Sequence, residues 1–362
     1  MSRAAGVTTE LQGTWQDGLV VARVPQLRWS TRAHARAVLV TVALGATTFG
    51  VLCWSLSVGD FPVPVSDVVA TLFGGGSEDS AFIVRTLRLP RGLTAVLVGA
   101  GFGISGAIFQ RLARNPLASP DIIGINAGAA AAAVFVIVMW NGTALQVTTG
   151  ALVGSLLTGA AVYLLAYKRG ITGYRLVLVG IGLTAMLGST VDYLLTRAEI
   201  FEAQRASVWL TGSLNGRSWD NVRHMSVAIA VLAPLAVGLA RHLRMLELGD
   251  DLAKGLGTRV EASRGALVLV GVLLAAVGTA SAGPIGFVAL VSPQIARRLV
   301  GARSVALVPA AACGALLLLA SDLLGRRIIA PTELPVGVIT AILGAPYLLY
   351  LLARANKIGS GG

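Results

Sequence analysis

Residues Ile122–Tyr167 read IIGINAGAAAAAVFVIVMWNGTALQVTTGALVGSLLTGAAVYLLAY, 46 positions without one charged side chain. A helix needs about 20 mostly apolar residues to cross the hydrocarbon of a bilayer. The stretch is too long for one crossing and suits two, with Asn141-Gly142 as the turn between them. Seven more charge-free runs surround it: Ala37–Gly59, Gly92–Gln110, Leu176–Val191, Met225–Ala240, Gly265–Ala296, Ser304–Ser321 and Leu334–Ala353. Gly265–Ala296 is interrupted at Ala282-Gly283-Pro284, which predicts two helices, one of them short or irregular at membrane depth. Eight runs, two of them double, predict an all-α integral membrane protein with about ten transmembrane helices.

Composition points the same way. The chain is 55% hydrophobic and only 13% charged, where soluble domains carry about 25% charged residues. Its 44 glycines suit close helix packing in lipid. An ordinary soluble enzyme, a disordered chain and a disulfide scaffold are excluded. Cys53 and Cys313 sit in apolar runs and read as packing residues. The N-terminal stretch carries Arg3, Glu10, Asp17, Arg23, Arg28 and Arg32 without the apolar core of a signal peptide. Residues 1–36 are therefore expected to be a polar cytoplasmic tail, 37–354 the membrane domain and 355–362 a second cytoplasmic tail.

Ten crossings from a cytoplasmic N-terminus return the C-terminus to the cytoplasm. Of the 29 lysines and arginines, 20 then fall on cytoplasmic segments and nine outside, the bias that orients membrane proteins. That bias accounts for the net charge of +12 with membrane lipid, and no nucleic acid, as the partner.

Some motifs mislead. Gly101-Phe102-Gly103-Ile104-Ser105-Gly106 matches the dinucleotide fingerprint, which has meaning only between a strand and a helix. Inside an apolar run it reads instead as a packing face of Gly99, Gly103 and Gly106. Asn141-Gly142-Thr143 reads as a turn rather than a glycosylation site. His34, His224 and His242 lack ligand spacing, and no phosphate-binding loop or catalytic triad is legible, so no cofactor is expected in the chain itself.

Four polar islands carry information. Arg85, Arg88 and Arg91 crowd the outer mouth of the second span, either as interfacial anchors or as a cationic docking patch. Asn115-Pro116-Leu117-Ala118-Ser119-Pro120 forbids a continuous helix and forms at least an inner turn. In the longest inner loop, Gly249 and Gly257 bracket a short stretch with acid at its start and lysine near its end. A helix there (expected within 243–257) could dock a soluble partner or lie on lipid. Gly283-Pro284, Pro293 and Pro335 mark broken helices of the kind that line transporter cavities.

With these islands assembled, the chain resembles the permease subunits of ABC importers for iron–siderophore complexes, haem and vitamin B12. Leu87–Arg91, Asn115–Pro120, Leu248–Gly257, Ala282–Phe287, Glu333–Gly337 and Gly344-Ala345-Pro346 follow that family's motifs in order, from about residue 38 to 354. Gly180-Ile181-Gly182, Gly212–Gly216 and Leu246–Asp251 most resemble ferric enterobactin-type permeases. Gln294 stands where the family usually has histidine, and Ala289 where it often has glycine.

The resemblance implies the type II importer permease fold without its own catalysis, in a bacterial cytoplasmic membrane. It implies a second permease subunit (a related partner or a second copy), ABC ATPase subunits that bind the ATP, an extracytoplasmic substrate-binding protein, and ferric siderophore as cargo. Arg88, Arg91 and Arg326 match arginines that pair with acids on the binding protein. Leu248, Gly249, Asp250, Asp251, Leu252, Ala253, Lys254, Gly255, Leu256 and Gly257 match the segment that contacts the ATPase. Gly99, Gly103, Gly106, Asn115, Pro116, Gly283 and Pro284 are assigned to helix packing and the pathway. An ion-driven secondary transporter is the competing class and would want intramembrane carboxylates; Asp192 is the one well inside a predicted span.

Overall fold

The computed structural model describes residues 12–16, 19–24, 29–59, 61–75, 77–167, 173–301 and 306–359. Arg3, Arg28, Lys168, Arg169 and Arg303, counted above toward the cytoplasmic side, lie outside them. Three short antiparallel strands come first: β1 (Gln12–Gln16), β2 (Leu19–Val24) and β3 (Trp29–His34), paired in sequence order. They fall within the expected tail, where Leu19-Val20-Val21 and Val24 supply β-branched and apolar residues.

The rest is helical. α1 (Ala35–Ser57) is followed by α2 (Val65–Leu72) and α3 (Glu78–Phe82), and α3 runs through a π turn at Ile83–Arg88 into α4 (Leu89–Leu112). Next come α5 (Ile125–Trp140), α6 (Ala144–Ala166), α7 (Gly173–Arg197), α8 (Ile200–Leu210), α9 (Trp219–Gly238), α10 (Ala240–Glu247) and α11 (Asp250–Gly255). The last four are α12 (Val260–Ala282), α13 (Val288–Val300), α14 (Leu307–Arg327) and α15 (Val336–Gly359).

Seven of these helices are long and apolar enough to cross a membrane, and α5 and the Val336–Leu351 part of α15 are shorter apolar helices. With the half-length α13 they make ten, and the chain is an integral membrane protein. The 46-residue run divides at Asn141, where Thr143 and Gln146 form a capping box that starts α6. The Gly265–Ala296 run divides at Gly283, whose φ of +79° suits glycine. The sequence reading placed no helices within 60–85 or 198–218. α2, α3 and α8 stand there, and α8 is announced by a capping box of Glu199 and Glu202.

Two glycine-rich faces build the core. A Cβ at Gly99 would fall on the Gly314 carbonyl, one at Gly103 on Ala310, and one at Gly106 on Ala289. Glycine lets α4 meet α14 and α13 backbone to backbone, where dispersion is strongest. α12 covers the other side of α4, with Ser105 Oγ donating to the Gly271 carbonyl at 2.7 Å.

Candidate functional site

The chemistry of the chain collects at the two ends of the bundle. At one end Arg91, half-buried near the start of α4, donates to Asp322 Oδ1 from Nε and Nη2 at 3.0 and 2.9 Å, and from Nη1 to Glu333 Oε2 at 2.9 Å. Arg326 lies one turn beyond Asp322 on α14, with its Nε 3.2 Å from Asp322 Oδ2 and its Nη2 donating to Ser55 Oγ of α1. Arg88 donates to the carbonyls of Leu56 and Phe61, both at 2.7 Å. All three arginines therefore converge, and each is held by the fold. The Asp322 side chain is 1% exposed and Glu333 41%. A cavity of about 520 Å³ opens above them, lined also by Arg327 and Phe61.

The sequence reading did not find Asp322 as the shared counter-ion. The charge-free run stops at Ser321, but α14 continues to Arg327, so Asp322 joins Asp192 as a carboxylate inside a span. Asp322 is neutralised there by two arginines, while Asp192 is exposed on α7. The signal available was the Asp322–Arg326 spacing of one helical turn.

At the opposite end, the 243–257 segment is two helices, α10 and α11, joined at Leu248–Gly249. Gly249 (φ +112°) and Gly257 (φ +78°) take backbone angles that side chains resist. Arg111 clasps Glu247 at 2.7 Å, Arg114 donates to the Leu246 carbonyl at 2.7 Å, and the buried Arg264 holds Asp250 at 2.6 Å and Glu261 at 3.1 Å. Ala253 packs inward. Leu252 and Leu256, one turn apart on α11 and its C-terminal cap, stay 62% and 63% exposed, and Leu248 at the joint 55%. This polar clamp presents an apolar ridge with nothing on it among the described residues.

Between the ends, the breaks interlock. Ser213 N–H donates to the Ala282 carbonyl at 2.9 Å, and Gly337 N–H to that of Gly212 at 3.1 Å. The Gly283 Cα packs against Gly212 and Trp209, and Pro284 lies over Gly212. Asn115 Oδ1 accepts from Leu117 N–H at 2.9 Å and closes the turn after α4. Gln294 donates to Gln110 Oε1 at 2.7 Å and to the Pro116 carbonyl at 3.0 Å, and accepts from Arg297. An amide thus ties α13, α4 and the turn together at the family's histidine position. In the α4–α5 connection, Asp121 Oδ2 accepts from Phe287 N–H at 3.4 Å. Burial pushes its carboxyl above the usual range, against the opposing pull of Ser119 and the Phe287 N–H.

Comparison with known proteins fits this geometry. The chain is 43% identical over 304 residues to the ferric enterobactin transport system permease protein FepG of Escherichia coli, covering 84% of this chain and 92% of that one. It is 40% identical to the probable siderophore transport system permease protein YfhA of Bacillus subtilis, covering 90% and 98%. It is 35% identical to the hemin transport system permease protein HmuU of Yersinia pestis, covering 89% and 95%. A solved metal-chelate type ABC transporter in an inward-facing conformation superposes with a TM-score of 0.78 at 27% identity, over 87% of this chain and 98% of that one. The FecCD transport family profile matches residues 37–354, nearly all of the helical part, and the chain belongs to that family.

Proposed function

We propose that the chain is the transmembrane permease subunit of an importer for ferric siderophores, catecholate complexes favoured, driven by ATP hydrolysis in partner ATPase subunits. The cargo reading rests on the 43% identity to a ferric enterobactin permease; citrate and hemin permeases among the relatives make other chelates the competing cargoes. In this reading the Arg91 end faces outward and the Glu247 end faces the cytoplasm, in the bacterial inner membrane, as the distribution of cations favours.

The exposed leucine ridge carries the coupling assignment. Leu248 at the α10–α11 joint and Leu252 and Leu256 along α11 leave exposed apolar side chains on a clamped pair of short helices, the form that enters a groove on a soluble partner. At the other end, Arg88, Arg91 and Arg326 receive carboxylates of an extracytoplasmic binding protein above the 520 Å³ cavity. Their internal bonds hold the guanidinium groups in place beforehand, so little side-chain entropy remains to be lost on docking. A second permease subunit completes the pathway, with the Gly283-Pro284 break lining it.

The test is uptake by the reconstituted assembly, with its ATPase and binding protein, of radiolabelled ferric tris-catecholate, ferric tris-hydroxamate and haem. ATP-dependent uptake led by the catecholate complex is expected. Uptake of haem alone would overturn the cargo reading, and uptake that ignores ATP would overturn the coupling.

A further inference from the structure

A second cavity, of about 540 Å³, opens at the Arg91 end between α5, α6, α8 and the 211–218 connection. Ile137, Val147 and Trp209 form apolar walls, and Asn215, Arg205 and Arg217 bring polar groups to it. Its volume is that of a site for a compact small molecule.

The two arginines set it apart. Four arginines at the two ends of the bundle meet carboxylates: Arg91 and Arg326 meet Asp322, Arg111 meets Glu247, and Arg264 meets Asp250. Arg217 meets none among the described residues. Its Nε and Nη2 donate to one neutral acceptor, the Ser213 carbonyl, at 3.2 and 3.1 Å. Arg205, exposed on α8, donates to neutral oxygens among the described residues, Asn141 Oδ1 at 3.1 Å and the Gly142 carbonyl. The acids nearest in sequence are engaged elsewhere. Glu199 and Glu202 cap the start of α8, and Asp220 sits 3.8 Å from Arg223.

A guanidinium has five N–H donors, so each arginine keeps donors to offer toward the cavity. Burial alone, with no carboxylate to oppose it, pulls the Arg217 guanidinium below its usual range. Buried charge is costly until something of opposite sign answers it.

We infer that this cavity binds a ligand rich in anionic oxygens, with Arg217 and Arg205 as charge-assisted donors and Trp209 as an aromatic wall. Resting on the function proposed above, the ligand is the ferric chelate itself, held at an entrance subsite after release from the binding protein. A ferric tris-catecholate is a trianion whose oxygens match guanidinium donors and whose aromatic rings match Trp209. An anionic lipid headgroup presents the same oxygen chemistry, and the experiment separates the two.

The intact chain in phosphatidylcholine nanodiscs is titrated with ferric tris-catecholate, followed by tryptophan fluorescence, with Trp209→Phe identifying the reporter. The Arg205→Gln, Arg217→Gln double variant should bind the complex at least tenfold more weakly, and Arg217→Lys should retain part of the loss. The uncharged ferric tris-hydroxamate should show no such difference between variants. Unchanged catecholate affinity in the double variant overturns the proposal. So does a result in which the double variant loses only retention of phosphatidylglycerol added to the discs, which assigns the cavity to lipid. Wild-type uptake is measured in parallel on the full assembly, with its ATPase and binding protein, in sealed proteoliposomes. Intact uptake with unchanged variant binding sinks this inference alone, whereas absent wild-type uptake sinks the transport reading beneath it.

Discussion

The two ends of the bundle use the same currency of arginine and carboxylate to opposite effect. At the Arg91 end, ion pairs reach into the fold: Asp322 is almost wholly buried and joins α4 to α14, and Arg326 adds α1 through Ser55. At the Glu247 end, Arg111 and Arg264 hold half-exposed acids at the edges of two short helices, and the residues left showing are leucines. One end spends its charges on helix-to-helix cohesion around an open cationic cavity. The other spends them on fixing the attitude of a ridge. Mutations should therefore cost stability at the first end and coupling at the second.

Asp322→Ala should have the largest effect on the fold. It leaves the half-buried Arg326 without a carboxylate and Arg91 with Glu333 alone, so the cost approaches that of a broken buried pair, about 3–5 kcal/mol. A large fall in melting temperature in detergent is expected, and a melting curve like wild type would show that the pairs are not cohesive. Gly255→Pro comes next, because proline costs about 3 kcal/mol inside a helix. Here the cost should stay local to α11: the membrane body melts as wild type, and ATPase copurification is lost. Copurification at the wild-type level would remove α11 from the coupling assignment.

Gly106→Ala tests cohesion without charge. Its new Cβ would meet the Ala289 carbonyl, and such overpacking costs about 1–3 kcal/mol. Full stability would mean that α4 and α13 separate easily. The smallest effect on the fold is expected from Asp121→Asn. The folded state favours the protonated carboxyl, so ionisation of Asp121 removes stability as pH rises past its unfolded-state pKa. The amide cannot ionise, and it keeps an oxygen for Phe287 N–H. The variant should match wild type at low pH and equal or exceed it near neutrality, in melts at both values. A clear loss at low pH would show that Asp121 acts as a carboxylate.

The crossings were legible because lipid demands long runs without charge, and such runs leave few alternatives. The break at Gly283 and the brackets Gly249 and Gly257 were legible because proline and left-handed backbone restrict the residue type. What escaped was pairing across distance. Nothing local ties Arg91 to Asp322, 231 residues away, and the run ending at Ser321 hid a helix that carries its own acid one turn before Arg326. α8 escaped because a short helix beside polar turns leaves only its caps as a signal. The cavity at Arg217 escaped for a related reason: an arginine in a loop looks solvated until the fold half-buries it away from the acids of the described residues.

The contrast between the ends comes down to the leucine ridge. Leu252→Asp changes an exposed side chain, and such substitutions usually stay within about 0.5 kcal/mol. The decisive measurement is cargo-stimulated ATP hydrolysis by the full assembly carrying Leu252→Asp, beside its melting temperature. Hydrolysis that no longer responds to cargo, with melting unchanged, is the expected result. Wild-type stimulation would contradict the assignment of this end to the ATPase.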